Sequence, residues 1–385
     1  MTTSTDQGAN LSNWRTSPFN VWAFHHVREI VPVAEIAAGP GPARALPEAL
    51  RSFDDFRVQG LGGQTFDWPG FLEATSTDAV VILLNGEIVS ETYAHGNAAR
   101  TPHILMSATK SVTGLICGVL ADQGRIDLDA PVSALLPAAA ASAWGDATLR
   151  QLLDMRTGVV MSPADLQAYA DATQWDPVAA DAPLTDLLQF FATTTTGFGP
   201  HGGPFSYVSA NTDLLGLILA RVTGQSFATV VETLLWRPMG AETDAQITVD
   251  RLGAARCTGG LCATARDLAR LGQLVADGGV RDGRRVLPAA WLDDLWAGGD
   301  RQAWRDGQFA PAFPGREMSY RGGWYRIHGD PDFLFAMGIH GQNLFIDRTS
   351  GLVIAKLSSI GNPFDPRVVA LIHRGADALR NYLVA

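Results

Sequence analysis

The chain has 385 residues, of which 46% are hydrophobic and 18% charged, and its formal net charge at pH 7 is −10. This balance excludes a disordered protein, and the length suffices for about two lobes around a large core. The Lys and Arg residues form no basic cluster, so we expect no binding to nucleic acid. No segment reaches the ~18 apolar residues of a membrane span, and residues 1–20 have neither a basic start nor an apolar run. We therefore expect a cytoplasmic protein that does not bind membranes.

The three cysteines, Cys117, Cys257 and Cys262, have no CxxC spacing and no Cys/His spacing of a metal site. This pattern predicts neither a disulfide framework nor a zinc site. Lysine occurs only at Lys110 and Lys356, and Arg supplies the rest of the Lys and Arg total. A buried Lys can lose its proton and Arg cannot, so each Lys raises the question of an acid–base role, with a solvated surface charge as the ordinary alternative.

The first predicted elements are two strands joined by a tight turn. An apolar run at 79–84 is followed by Asn85-Gly86 and by a second run at 87–93. Asn-Gly between two such runs is a strong signal for a β-hairpin. Apolar positions at helical spacing then predict a helix over 106–123.

From about residue 130 to 262 the pattern indicates helices and long loops. Thr148 is a candidate cap for the short helix that follows it. Tyr169 and Asp171 fall in a stretch that we expect to be a loop. Pro238 should stop the last of these helices, because Pro lacks the N–H that a helix interior needs. The helices expected here lie at 184–192, 211–222 and 227–236.

The tail of the chain changes from helices to strands. Thr264 should cap a helix that runs to about Ala276, and another short helix is expected at 288–296. Three apolar runs separated by turn residues predict strands, and a final helix follows them. These elements lie at 333–340, 342–347, 352–358 and 366–383.

Strands near both ends of the chain, with helices between them, predict an α+β fold. We expect one antiparallel sheet flanked by helices, in a discontinuous domain formed by 1–130 and 263–385. Residues 131–262 should then form an inserted, all-helical domain.

Ser107-Ala-Thr-Lys110 has the spacing Ser-x-x-Lys at the start of a predicted helix. Residues three apart share a helix face, so the hydroxyl and the amine can meet. A Ser hydroxyl is a poor nucleophile until a base takes its proton, and a desolvated, neutral Lys can do this. Four residues alone are a weak signal, and an ordinary helix start capped by Ser107 is the alternative.

The sequence around this tetrad resembles the β-lactamase-like serine hydrolases, which include class C β-lactamases, DD-peptidases and related esterases. Three blocks carry the resemblance in the family's order: ILMSATKSVTGLICGVLADQGRIDLDAPV, YVSANTDLLGLILARVTG and GGLCATARDLARLGQLVADGG. The resemblance implies that Ser107 is the nucleophile, Lys110 its base partner and Tyr207 the third catalytic group. Ser209 stands where the family more often has Asn.

The blocks YVSANTD, GGLCATARDLAR and GIHGQNLFID are similar to the 6-aminohexanoate-dimer hydrolases, the nylon-oligomer-degrading branch of that family. This similarity implies cleavage of small linear amides and short-chain carboxylic esters through an acyl-enzyme, with no metal or cofactor. A homodimer is compatible with it. An Asp near the pocket would pair with the ammonium of an aminohexanoyl chain. The substrate-binding residues that the resemblance implies are Tyr169, Asp171, Ser209, Thr258 and Trp324.

The family's third motif, Lys-Thr-Gly on an edge strand, is altered here to Ala336-Met337-Gly338. In β-lactamases the Lys and Thr side chains help to hold a substrate carboxylate, so their loss predicts poor hydrolysis of β-lactams. The resemblance still implies an oxyanion hole made by the backbone N–H groups of Ser107 and Ile339. Such donors are worth roughly 3 kcal/mol each in a transition state.

His340 invites a Ser-His-Asp interpretation, but its predicted strand position alternates with Ile339 and should face away from the oxyanion hole. No Gly-x-Ser-x-Gly elbow frames Ser107 either. Two alternatives to an amidase and esterase remain. One is a carboxylesterase without amide activity, and the other is an inactive binding module on the same fold.

Overall fold

The structure is a computed structural model that describes residues 8–179, 181–182, 184–195, 197 and 199–384. Its longest strands belong to the segments at the two ends of the chain, and the others are short. The strands are β1 (Val33–Ile36), β2 (Val58–Gln59), β3 (Thr65–Phe66), β4 (Thr77–Leu84), β5 (Glu87–Tyr93), β6 (His103–Ile104), β7 (Ala245–Thr248), β8 (Leu261–Ala263), β9 (Val280–Arg281), β10 (Arg284–Arg285), β11 (Met318–Arg321), β12 (Trp324–Ile327), β13 (Phe333–Gly338), β14 (Gln342–Asp347) and β15 (Leu352–Ser358).

The α-helices are α1 (Asn20–Ala23), α2 (Trp68–Ala74), α3 (Thr109–Asp122), α4 (Val132–Leu135), α5 (Leu149–Leu153), α6 (Pro163–Thr173), α7 (Leu187–Thr193), α8 (Ala210–Thr223), α9 (Phe227–Val231), α10 (Arg237–Met239), α11 (Ala265–Ala276), α12 (Ala289–Ala297), α13 (Arg301–Arg305) and α14 (Pro366–Val384). No single helix in the described part of the chain is long and apolar enough to cross a membrane. The segments Ala210–Thr223 and Phe227–Met239 meet the length and composition limits only together, as a pair bent by 78°.

The main sheet has seven strands in the order β11-β12-β13-β14-β15-β4-β5, and every neighbouring pair is antiparallel. Strand β4 from the first part of the chain pairs with β15 from the last part, so both ends complete one sheet. The hairpin between β4 and β5 turns at Asn85 and Gly86, which have φ values of 53° and 85°. The predicted hairpin and the predicted antiparallel sheet flanked by helices are thus confirmed.

Helices cover both faces of the main sheet. Successive side chains of a strand point to opposite faces, so each strand contributes to both of the cores that these helices form. Trp324 and Leu344 pack on the face that carries α3 and α11. Tyr325 and Phe345 pack on the other face, in the core that includes α14. Two neighbouring residues of β12 therefore belong to different cores.

A second, four-stranded sheet has the order β1-β7-β8-β6. Its strands β7 and β8 lie within the segment 131–262, for which we expected only helices, and they pair with β1 and β6 from the first part of the chain. The predicted boundary at residue 262 falls inside β8. Apolar residues of the helical segment, such as Trp144, also share one core with Leu344 of the main sheet.

Two local expectations were wrong. Tyr169 and Asp171 lie on helix α6 instead of a loop, and this helix is capped by Ser162, whose side chain accepts from the Asp165 N–H. Pro238 does not stop its helix: the chain continues through a π-helical turn to Met239 and ends at Gly240, with φ of 72°. Pro is tolerated there because the π-helical turn, in which the Arg237 N–H donates to the Glu232 carbonyl five residues back, already departs from the regular helical ladder that a Pro would break. Strands β11 and β12 were not predicted.

Candidate active site

Ser107 lies in a short 3₁₀ turn, Met106–Ala108, directly before α3. The Leu105 N–H donates to the Leu261 carbonyl at 2.8 Å, so strand β8 fixes the backbone just before the turn. Met106 has a positive φ of 45°, a conformation that costs energy for a side chain other than Gly. The neighbouring sheet thus holds the chain in a sharp bend immediately before Ser107.

Lys110 follows one turn later on α3, and its Nζ lies 3.0 Å from the Ser107 Oγ. The same Nζ donates to the Thr258 carbonyl at 2.8 Å, and the side chain is only 2% exposed. Burial lowers the pKa of Lys110 to about 7, although Asp213 opposes the shift, while Arg256 adds to it. At neutral pH a large fraction of this amine is uncharged, and an uncharged amine can take the hydroxyl proton.

Tyr207 completes the cluster around the nucleophile. Its ring centroid is 4.8 Å from the Lys110 Nζ and stacks on Phe309 at 5.0 Å. Desolvation raises the pKa of its phenol, while interactions of the hydroxyl with Ser107 and Tyr325 act against this shift. The phenol therefore keeps its proton at neutral pH and can donate it to a neighbouring group.

A buried cluster behind Lys110 was missed by the sequence analysis. The Asp213 carboxylate is fully buried and accepts from the Thr258 N–H at 2.8 Å and from the Tyr169 hydroxyl at 2.5 Å. It also pairs with Arg256. Since the Thr258 carbonyl holds Lys110, this cluster fixes the segment that positions the amine. An acidic residue inside the apolar helix α8 was the available signal, because a buried carboxylate needs partners.

An open, mostly apolar cleft reaches Ser107 and Tyr207. Gly338 and Ile339, at the end of β13, also line it. A Cβ atom on Gly338 would lie 2.9 Å from the Ser107 nitrogen and 2.5 Å from the Leu105 carbonyl oxygen. Glycine is therefore required for the strand to approach the nucleophile this closely.

Tyr169 and Asp171 do not line this cleft. Tyr169 is buried against Asp213 and is 7% exposed. The Asp171 carboxylate accepts from the Gln167 side chain at 2.8 Å and borders a different surface depression, beside Leu184. The prediction matched them to a loop beside the substrate, whereas helix α6 holds them in other surroundings.

Trp324, Thr258 and Ser209 also lie outside the residues that line the cleft. Trp324 is fully buried and its indole N–H donates to the Ser111 carbonyl at 3.1 Å, so it supports α3 from the core. The Thr258 hydroxyl donates to the Ser209 carbonyl. Tyr325, the next residue of β12, lines the cleft instead, since it points to the opposite face.

His340 is not part of the catalytic cluster. It lies in a 3₁₀ turn with φ of 62° instead of the predicted strand, and it is 1% exposed. Its Nδ1 is 2.6 Å from the Ile360 carbonyl, and its ring packs edge-on against Phe24 at 5.0 Å. Burial lowers the pKa of His340, which agrees with a structural imidazole.

Comparisons with known proteins place the chain in a family. The chain is 37% identical to the 6-aminohexanoate-dimer hydrolase of Paenarthrobacter ureafaciens over 92% of its own length and 88% of that protein. A Bacillus anthracis structure assigned provisionally to the same activity has a TM-score of 0.89 and 28% identity, with 99% of each chain covered. A family VIII carboxylesterase has a TM-score of 0.58 at 20% identity, covering 80% of this chain and 96% of its own, which shows a shared fold. Residues 71–377 match the Beta-lactamase family, and the chain is thus a member of the beta-lactamase family with its hydrolase fold.

Proposed function

We propose that the chain is a serine hydrolase that cleaves small linear amides and short-chain carboxylic esters through an acyl-enzyme on Ser107. The observation that carries this proposal is the 3.0 Å distance between the Lys110 Nζ and the Ser107 Oγ. A base must be within hydrogen-bond reach of the proton that it removes, and its pKa should be close to the working pH. Lys110 meets both conditions, since burial lowers its pKa to about 7.

In the acylation step, Lys110 takes the proton of Ser107 as the Oγ attacks the carbonyl carbon of the substrate. The N–H groups of Ser107 and Ile339 hold the developing oxyanion, as two such donors do in other acyl-transfer sites. Tyr207 gives its proton to the departing amine or alcohol and regains one from Lys110. Water then cleaves the acyl-enzyme by the same steps in reverse order.

The relatives support a linear amide as one substrate class. The chain resembles a 6-aminohexanoate-dimer hydrolase over 92% of its length. The dimer named there joins two unbranched chains by one amide bond, and the cleft beside Ser107 is open and mostly apolar.

A carboxylesterase without amide activity is the second candidate, and the position of Asp171 favours it. Amide cleavage needs the substrate held still while the leaving amine is protonated. The carboxylate that we expected to anchor a substrate ammonium borders another depression, outside the cleft. An ester has a better leaving group and depends less on such an anchor.

Two measurements test the proposal. A fluorophosphonate probe should label the wild type at Ser107 and leave Ser107→Ala unlabelled, and absence of labelling in the wild type would leave an inactive binding module. Turnover of p-nitrophenyl butyrate is then compared with that of 6-aminohexanoate dimer. Cleavage of both supports the amidase and esterase, and cleavage of the ester alone leaves the carboxylesterase.

A further inference from the structure

Part of the cleft beside Ser107 is lined by residues that the proposed reaction does not use. Its walls are mostly apolar, and Phe364, Val368 and Ile372 from the segment around the start of α14 contribute to them. The described residues that line it include no Lys or Arg, and the one acidic residue among them, Asp365, accepts from the Arg367 N–H at 2.8 Å. The cleft therefore has no cation to hold a substrate carboxylate.

Asn343 lines this cleft and has a free hydrogen-bond acceptor. Its side chain is 3% exposed, and its Nδ2 donates to the Gly341 carbonyl at 3.1 Å, which fixes the orientation of the amide. No described residue donates to its Oδ1. The neighbouring Lys356, paired with Asn343 across the sheet, directs its Nζ to Thr75 and Ser358 instead. A buried acceptor without a donor is costly, and a ligand that donates to it would remove that cost.

His373 of α14 lines the same cleft and is 6% exposed. Its Nε2 is likewise buried without a hydrogen-bond partner among the described residues. The ring lies edge-on to Phe345 at 5.1 Å, and Phe345 is two residues from Asn343 on the same face of β14. Two residues of a strand span ~7 Å, so the side chains of Asn343 and His373 belong to one region of the cleft lining.

Burial lowers the pKa of His373 to about 3, with a smaller contribution from Arg316, so the imidazole is uncharged at neutral pH. In a neutral imidazole one ring nitrogen donates and the other accepts. A hydroxyl group suits Nε2 in either tautomer, because a hydroxyl both donates and accepts. An ammonium can only donate, so it fits Nε2 in one tautomer only, and a carboxylate has no proton to give to Asn343.

The distance from the nucleophile follows from the sheet register. Gly338 lies against the Ser107 nitrogen, and Met337, the residue before it, pairs with Asn343 on the next strand. Neighbouring strands are ~4.8 Å apart, so an unbranched chain of about four to six atoms would reach from the reacting carbonyl to the Asn343 side chain. Tyr207 lines the same cleft, which places the leaving group, the part of the substrate that takes its proton, on this side.

We propose that the cleft binds the leaving group of the substrate as an unbranched chain of about four to six carbons ending in a hydroxyl, and that Asn343 and His373 recognise this hydroxyl. This inference rests on the proposed function and applies to its ester substrates, because the leaving half of a 6-aminohexanoate dimer ends in a carboxylate and not in a hydroxyl. It predicts a preference for monoesters of linear diols over esters whose alcohol part ends in a methyl group or a carboxylate.

The test compares kcat/KM for three butyrate esters: pentane-1,5-diol monobutyrate, pentyl butyrate and 5-butanoyloxypentanoate. We expect the wild type to cleave the diol ester about tenfold faster than the pentyl ester, and the carboxylate ester most slowly. Asn343→Leu should bring the ratio of diol ester to pentyl ester close to one. Asn97→Leu is the matched control, since Asn97 is also buried with an unpartnered amide but does not line the cleft, and it should keep the ratio of the wild type.

His373→Phe is a second variant, because a Phe ring suits the surrounding Phe side chains and still removes Nε2, and it should also lower the ratio. Equal rates for the diol and pentyl esters in the wild type, or an unchanged ratio in both folded variants, would overturn the inference. If p-nitrophenyl butyrate is cleaved normally in that case, the proposed function stands. If Ser107 takes no fluorophosphonate and p-nitrophenyl butyrate is not cleaved, the proposed function fails and this inference fails with it.

Discussion

The two lysines of the chain occupy sites that are alike in most respects. Lys110 and Lys356 are each 2% exposed, and burial lowers the pKa of each to about 7. Each Nζ lies beside a serine hydroxyl, Ser107 in one site and Ser358 in the other. Ser107 lines the open cleft, whereas Ser358 is fully buried between strands. A depressed lysine pKa next to a serine is therefore not sufficient for catalysis, since the nucleophile must also be accessible to a substrate.

The largest difference between the two sites should appear when the serines are removed. Ser107→Ala is expected to lower ester turnover by about three orders of magnitude or more while the fold is kept. Ser358→Ala is the matched change, and its effect should be on stability instead of turnover. Turnover of p-nitrophenyl butyrate, together with thermal unfolding of both variants, measures the two effects. If Ser107→Ala kept more than a tenth of the activity, the assignment of the nucleophile would be wrong.

The next largest difference in turnover is expected when the lysines themselves are replaced. Lys110→Arg is expected to be nearly as damaging as Lys110→Ala, because Arg keeps the positive charge but cannot accept a proton at working pH. Lys356→Met, a change of similar volume at the inaccessible site, should alter turnover by no more than a few fold. Steady-state kinetics on one ester separate these cases. Near-wild-type turnover of Lys110→Arg would show that only the positive charge matters.

The pH dependence of kcat/KM should change when the charged residues near Lys110 are replaced. Protonated Lys110 cannot act as a base, so kcat/KM should fall as the pH drops through about 7, the pKa that burial gives this amine. Asp213 raises this pKa and Arg256 lowers it. Asp213→Asn should therefore move the acid limb to lower pH, and Arg256→Met should move it to higher pH.

The phenol of Tyr207, which also contacts Lys110, keeps its proton in this range because desolvation raises its pKa. Tyr207→Phe is therefore expected to lower the rate without moving the acid limb to the same extent. Profiles measured at saturating and at low ester concentration distinguish the free enzyme from the complex. Shifts of the same sign in the Asp213 and Arg256 variants would contradict an electrostatic role for the pair.

The wild type is expected to hydrolyse β-lactams more slowly than esters. Ala336 and Met337 replace the Lys and Thr that hold a carboxylate in β-lactamases, and the described lining of the cleft has no cation in their place. Nitrocefin should be hydrolysed far more slowly than p-nitrophenyl butyrate. Comparable rates for the two compounds would show that carboxylate binding is supplied elsewhere.

Sequence patterns formed by residues close together in the chain predicted local structure well. Thr148 and Thr264 cap their helices as expected, and Ser107 and Lys110, three residues apart, meet at the start of α3. Contacts distant in sequence were not predictable in this way. Asp213 and Thr258 are brought together by tertiary structure alone, and their hydrogen bond has no local signature.

The prediction of substrate-binding residues depended on the exact register of single residues in a strand. The prediction selected Trp324, whereas Tyr325 lines the cleft, and one step along a strand exchanges the two faces of the sheet. Helix α6 was missed because its residues follow no clear apolar period, although Ser162 and Asp165 form a capping box at its start. Matching by resemblance is therefore sensitive to strand register and to a missed helix, whereas Ser107 and Lys110 are held together by one helical turn.

The smallest effect is expected at Asp171. A carboxylate at the rim of the cleft would hold a substrate ammonium, and its loss would lower amide cleavage by about ten- to a hundredfold with little change for esters. The structure instead places Asp171 on α6, where it accepts from Gln167 and borders a depression separate from the cleft. Asp171→Ala should therefore change neither p-nitrophenyl butyrate turnover nor cleavage of 6-aminohexanoate dimer by more than about twofold, as for a surface substitution.

Gln167→Ala, which removes the hydrogen-bond partner of Asp171, is the control and should behave in the same way. A selective loss of amide cleavage in Asp171→Ala alone would mean that α6 moves toward Ser107 when the substrate binds, and equal losses on both substrates would indicate a folding role.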